Sequence, residues 1–350
     1  MDRSVLLMLI SNLLIFCLAF CLALLLFNTN QNSLVKANEN INVPINEEDE
    51  QNHINLNEDI SLNDIGTDEA KVTTYTADIL NTQFNNNVLE VHNTNYSLSN
   101  DLSNQIWQVI NSYGYGSSFM LIDLSTGMMA GYNVDSAYET ASSIKVIYAY
   151  YICTEISKGN IDPNQEIEYL SKYYNKGTGL IKNSEYGTKY TVKELIRLSL
   201  HESDNIAHIM LHATFGVDGF NQMLSDLGCS KLYLTKTNPW GFTSPRSAAL
   251  VWQEIYHFAY NDETGLQLFN ILLNNKYNYY KEVLGEDTIS VSKTGWANSS
   301  VIQSGIIFRN GTPYIAMAMA RKVDGSNAYG QVLKLIRVMG AIIDEYEQTK

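Results

Sequence analysis

The sequence predicts an α+β protein, an antiparallel sheet with helices before and after it, and three observations carry that reading. Residues 288–296, 301–308 and 313–320 are three successive strand-like runs. The last two flank Asn310-Gly311, the strongest short hairpin signal, because a tight turn needs two residues that tolerate positive φ. Helical periodicity surrounds these runs, and residues 331–346 close it with Leu333, Leu335, Ile336, Met339 and Ile342.

In chain order, a helix is expected over 98–112, where Leu102, Ile106, Trp107 and Ile110 recur at helical spacing. Strands at 118–123 and 128–132 are joined by Ser125-Thr126-Gly127. A helix opening near Ser142 is apolar almost throughout 146–152, which marks it as a core helix. Thr191-Val192-Lys193-Glu194 is a capping box and starts a helix to about 200. A second helix, 206–214, is closed by Gly216, and 218–227 by Gly228. Between the first two, His201-Glu202-Ser203-Asp204-Asn205 breaks the periodicity. Residues two apart do not face one another on a helix, so Ser203 and Asn205 share a cleft only if this stretch is a turn. Residues 231–242 read as a loop containing Asn238-Pro239-Trp240-Gly241. Ser244 and Pro245 are N-cap and first residue of a helix carrying Ala249, Leu250, Trp252 and Ile255, and another helix covers 266–274.

The N-terminal part is different in kind. Residues 5–27 are apolar except for Ser11 and Asn12, enough for a helix to span about 30 Å of hydrocarbon. Arg3 precedes the run and no Lys or Arg follows until Lys36, which orients the rest of the chain outside the cytoplasm. An uncleaved anchor is favoured over a signal peptide, because the run is long for a secretory h-region. Residues 28–97, rich in Asn, Asp and Glu, read as a disordered acidic linker. They hold 12 acidic residues against Lys36 and Lys71, a net −10 of the chain's −14. The folded part is therefore nearly neutral, which disfavours a nucleic-acid partner. Cys17 and Cys21 lie in the apolar run, leaving Cys153 and Cys229 in the domain, so no disulfide framework is expected. No zinc spacing appears and no cofactor is expected.

The chemistry begins at Ser142-x-x-Lys145. Three residues apart on a helix, the amine can reach the hydroxyl, and a desolvated lysine can act as its base. The free N–H groups of a helix start suit a developing oxyanion. The pattern alone is weak, since such tetrapeptides arise by chance. It is followed, in order, by Ser203-Asp204-Asn205 at an interhelical turn and Lys293-Thr294-Gly295 on a strand. With these three motifs residues 98–350 resemble the class A β-lactamase and penicillin-binding serine enzymes. The resemblance implies their β-lactamase/D,D-peptidase-like fold, a sheet with helices on both faces plus an all-helical subdomain. It also implies that Ser142 attacks, Lys145 takes the proton and Ser203 relays a proton to the leaving nitrogen. Asn205 would bind the substrate amide, Lys293 and Thr294 the carboxylate side, and the N–H groups of Ser142 and Trp296 the oxyanion. Gly295 is expected to keep the strand edge open for an extended substrate. The implied partners are a β-lactam or a peptidoglycan stem peptide.

One departure stands out: residues 231–245 contain no Asp or Glu, whereas class A β-lactamases carry there the Glu that activates the hydrolytic water. Acylation through Lys145 with slow deacylation is the expectation. Glu202 is a weak substitute, its direction differing from that of Ser203. Asp204 is read as fixing its turn, His208 and His212 as helix-surface histidines rather than half a metal site, and the tyrosines at 148–151 and 277–280 as packing and surface. A non-catalytic binder of cell-wall fragments is the alternative from another class.

Overall fold

The computed structural model describes residues 74–323 and 325–350, so the apolar run and most of the acidic stretch lie outside the described residues. Among the described residues no helix is long and apolar enough to cross a membrane.

Six antiparallel strands form the main sheet: β1 (Leu89–His92), β2 (Ser117–Asp123), β3 (Met129–Tyr132), β8 (Ser290–Trp296), β9 (Ser300–Arg309) and β10 (Thr312–Arg321). Their spatial order is β1-β3-β2-β10-β9-β8, which leaves β8 at one edge. Two short two-stranded sheets pair β4 (Tyr138–Glu139) with β7 (Phe242–Thr243) and β5 (Glu166–Glu168) with β6 (Lys189–Thr191). The helices are α1 (Thr76–Asn81), α2 (Asn100–Asn111), α3 (Ile144–Ser157), α4 (Val192–His201), α5 (Asn205–Phe215), α6 (Asp218–Asp226), α7 (Pro245–Asn261), α8 (Glu263–Leu273), α9 (Tyr279–Leu284) and α10 (Ala328–Glu347).

The pleat sorts the strand residues between two cores. Phe119, Leu121, Ala316, Ala318 and Ala320 face α2 and α10. Met120, Ile122, Ile315, Met317 and Met319 face the larger core, which α3 and α7 share with α4, α5, α6 and α8. Each fully buried side chain of this size contributes about 1.5–3 kcal/mol against the chain entropy. Helix α3 is buried on nearly every side from Ile144 to Cys153, which is why its sequence lacks a polar stripe. The helix caps match the sequence reading: the capping box at Thr191 and Glu194 is formed, and Ser244 accepts from Ser247 N ahead of Pro245. Asn310 and Gly311 both adopt positive φ, 52° and 79°, between β9 and β10.

The boundary at residue 97 is corrected. Helix α1 and strand β1 fall within the stretch read as linker, and β1 pairs antiparallel with β3. Polar anchors hold this strap to α7. Gln253 Oε1 accepts from Tyr75 N at 2.8 Å and Arg246 donates to Ile79 O and to Thr82 O. Ile79 is fully buried. Asn87 and Asn93, at φ 60° and 57°, bracket β1, so part of the asparagine content is turn chemistry.

Candidate active site

Ser142 lies in a single 3-10 turn, Ala141–Ser143, that feeds into α3. Ala141 holds φ at +46°, a conformation a side chain occupies only when its surroundings impose it. Those surroundings are a clamp on the preceding residue. Thr140 N donates to Gly241 O at 2.9 Å, and Gly241 N returns a bond to Thr140 Oγ1 at 3.2 Å. From the other side β8 presses in. A Cβ on Gly295 would sit 2.4 Å from Thr140 O and 3.1 Å from Ser143 N. Gly295 therefore lets the strand approach the turn that carries Ser142.

Lys145 and Lys293 are both completely buried. Lys145 Nζ lies 3.1 Å from Ser142 Oγ, 2.5 Å from Ser203 O, 2.6 Å from Asn205 Oδ1 and 3.3 Å from Ser203 Oγ. The two shortest contacts are to oxygens that only accept. A neutral amine has two hydrogens for them and one lone pair left for a hydroxyl proton. Burial drives the amine well below its usual 10.5, helped by the charge of Lys293 and opposed by Asp204. Lys293 reaches across to donate to Ser203 Oγ at 3.1 Å, and burial brings it down to about 7. Five of the predicted residues, Ser142, Lys145, Ser203, Asn205 and Lys293, thus meet in one hydrogen-bonded group.

The interhelical turn is held by Asp204. Its Oδ1 caps α5 by accepting from Ile206 N and Ala207 N, at 2.8 and 3.0 Å. Its Oδ2 accepts from Leu180 N and Ile181 N, at 2.6 and 2.9 Å. Ser203 is left at φ +53°. The loop before α4 completes the support: Thr178 O accepts from Asn205 N, and Thr178 Oγ1 donates to Ser203 O. Asn175 Oδ1 accepts from Asn205 Nδ2 at 3.1 Å. Glycines are required here, because a Cβ on Gly177 or Gly179 would lie 2.2 Å from Asn205 or Asp204. In the sequence this loop was not singled out for the site, and the two glycines flanking Thr178 were the signal that could have marked it.

Strand β8 divides its side chains between the two cores. Lys293 and Gly295 face the nucleophile, and Thr294 and Trp296 face the α10 side. Backbone groups alternate too. Phe308 N donates to Ile289 O and Ala297 N to Ser300 O, so in this register the odd-numbered residues of β8 bond to β9. The even-numbered ones point out along the free edge. Asn275 caps one of them, donating to Ser292 O at 2.7 Å. The backbone groups of Thr294 and Trp296 face outward beyond it. The Trp296 ring is 55% exposed, with Lys322 Nζ 4.6 Å from its centre.

The loop after α6 closes the other side of the amine. Trp240 places its ring centre 5.5 Å from Lys145 Nζ. His208 and His212, read from sequence as surface residues, are instead buried and anchor this loop. Their Nε2 atoms bond to Pro239 O at 2.8 Å and Thr235 O at 3.0 Å, and burial pushes His208 down to about 3. Among the described residues no group of three or more His, Cys, Asp or Glu is placed to hold a metal. Glu202 is taken up by His201 Nδ1 at 2.8 Å, with Lys276 Nζ 4.0 Å away. Among the described residues no carboxylate is hydrogen-bonded to Lys145.

The family profile of the beta-lactamase enzyme family matches residues 101–346. Among curated proteins nothing matches significantly. Solved structures share the fold. A mutant of PBP-A captured as its acyl-enzyme with penicillin G is 19% identical at a TM-score of 0.65, covering 70% of this chain and 97% of its own. A β-lactamase from Sphaerobacter thermophilus is 19% identical at 0.60, covering 68% and 94%. An ancestral class A β-lactamase is 20% identical at 0.60, covering 69% and 99%. The profile spans well over half of the sequence, and the chain belongs to the beta-lactamase enzyme family as a serine hydrolase of the acyl-enzyme type.

Proposed function

We propose that the protein acylates itself on Ser142 with β-lactams or D-Ala-D-Ala-like peptides and releases the acyl group slowly. Lys145 takes the hydroxyl proton as Oγ bonds to the carbonyl carbon. The oxyanion forms between the N–H groups of Ser142 and Trp296, one at a helix start and one on the outward-facing edge of β8. Collapse expels the amide nitrogen, which receives its proton through Ser203 Oγ, bonded to both lysines. Asn205 orients the acyl amide and Lys293 receives the carboxylate, while Thr294, expected to share that contact, has its side chain on the other face of β8. One observation carries the reading: a desolvated amine with two pure acceptors filled and its remaining valence directed at Ser142. The same arrangement argues for turnover chemistry over a purely binding role.

Between substrates, the free edge of β8 favours an extended peptide, whose backbone can pair with Thr294 and Trp296. A D,D-peptidase acting on peptidoglycan stem peptides is the second reading. The apolar run at residues 5–27 supports a site outside the cytoplasm, tethered to the membrane, which alkaline extraction of membrane fractions tests.

Incubation with a fluorescent penicillin is expected to leave one stable adduct, absent in Ser142→Ala and located by peptide mass mapping. Absence of label in the unmodified protein sinks the acyl-transfer reading. Rapid loss of label refutes slow deacylation. Release of D-alanine from a D-Ala-D-Ala peptide separates the peptidase from an enzyme restricted to β-lactams.

A further inference from the structure

Trp240 belongs to none of the three motifs, yet it is the aromatic side chain set over the base. Its ring lies 5.5 Å from Lys145 Nζ and packs, tilted by 43°, with its centre 5.1 Å from that of His208, a neutral buried imidazole. Three anchors fix the segment that carries it. Pro239 O accepts from His208 Nε2, Asn238 Oδ1 accepts from Trp240 N at 3.0 Å, and Gly241 is locked to Thr140 beside the nucleophile. The indole is therefore a built wall of the site.

The surroundings of Nζ are otherwise filled. Ser142 Oγ, Ser203 O and Asn205 Oδ1 take its hydrogen-bonding directions. The charged and titratable groups facing it are Lys293 on β8, Asp204 at the turn and His208 on α5. Once Ser142 Oγ becomes an ester oxygen, hydrolysis needs a water that some base can deprotonate, and Lys145 is the base at hand. A water that reaches Nζ from the loop side has to displace Trp240.

We propose that Trp240 is a positioning residue that acts as a lid over Lys145, keeping the amine dry for acylation and denying water to the acyl-enzyme afterwards. This rests on the acyl-transfer reading above. An indole face also attracts an ammonium, which opposes the first effect. Exclusion of water is the stronger influence, up to about 3–5 pH units for a fully buried amine. Trimming the ring then has two consequences of different kind. Water reaches Nζ, so the amine holds its proton to higher pH and acylation at neutral pH slows. Water also reaches the ester, and opening that access outweighs the smaller neutral fraction of the amine, so the acyl group leaves faster.

The test compares Trp240→Ala and Trp240→Phe with the unmodified protein, using a fluorescent penicillin. The acylation rate is followed against pH, and adduct lifetime by intact mass after removal of excess reagent. Trp240→Ala is expected to raise the midpoint of the acylation profile by about one pH unit or more and to shorten the adduct lifetime about tenfold or more. Trp240→Phe, which keeps an apolar ring, is expected to restore most of both. A change in only one of the two in Trp240→Ala overturns the lid, as does no change in either. Failure of Trp240→Phe to restore them also overturns it. If the unmodified protein takes no label, the acyl-transfer reading itself fails and the lid with it, an outcome distinct from labelled protein with unaltered kinetics.

Discussion

Replacing Lys145 by methionine is expected to slow acylation of Ser142 about 10³-fold or more, the scale of a lost general base. Methionine keeps the apolar length of the side chain but offers no lone pair to a serine proton. The change also leaves Asn205 Oδ1 short of a donor, at about 1–3 kcal/mol for a buried acceptor that goes unpaired, while Ser203 O keeps its bond from Thr178 Oγ1. Relief from burying an amine offsets part of that cost, so the variant should fold. The pH dependence identifies the base. The amine is held well below 10.5, so the neutral, active form is already present at lower pH, and the rate should climb with pH through that depressed value. Quenched labelling across pH measures it. If Lys145→Met keeps the same rising limb at reduced height, Lys145 is not the base, and Lys293, brought down to about 7, becomes the candidate.

The largest loss of stability is expected at Asp204. One carboxylate, fully buried, accepts four backbone N–H groups from two segments of chain. Bonds to a charged acceptor are each worth about 1.5–3 kcal/mol, though four on one group do not add fully. Asp204→Ala should therefore cost about 3–5 kcal/mol. Asp204→Asn is the sharper test. Its oxygen can serve one pair of donors, but its amide nitrogen then confronts the other pair. A loss close to that of alanine is expected in urea unfolding, together with weaker acylation as Ser203 and Asn205 move. An asparagine variant within about 1 kcal/mol of the native protein would remove the carboxylate from its role as the pin of this turn.

The sequence made the helices and strands legible where local chemistry was strong. Thr191 with Glu194, Ser244 with Pro245 and Asn310 with Gly311 all sit where their caps and turn require. Ser142, Lys145, Ser203, Asn205 and Lys293 were legible as one group because their side-chain types and order along the chain form a recognised motif set. What stayed hidden depends on partners far away in sequence. Strand β1 has four residues, none fully buried, and becomes a strand only by pairing with β3. Nothing local distinguishes it from the asparagine-rich chain around it. His208 and His212 are four apart on α5, and a helical pattern cannot reveal that a loop 31 and 23 residues on, respectively, will cover them. Gly295 illustrates a different limit: its spacing in the motif was plain, but the backbone that approaches it belongs to Thr140.

The pairing of β2 with β10 sets an order of events. Phe119 lies opposite Ala318, so the two strands at the centre of the sheet come from positions about 200 residues apart. Contacts this distant form late, because the entropy of closing so long a loop is lost before any contact rewards it. Helices α4, α5 and α6 can gather around α3 on local contacts, bringing Ser142, Lys145 and Ser203 together. Lys293 and the free edge of the sheet arrive only with β8, β9 and β10. A chain still being made therefore holds Ser142, Lys145 and Ser203 together before it holds the strand that completes the group around them, and that completed group is the last thing the folding chain assembles.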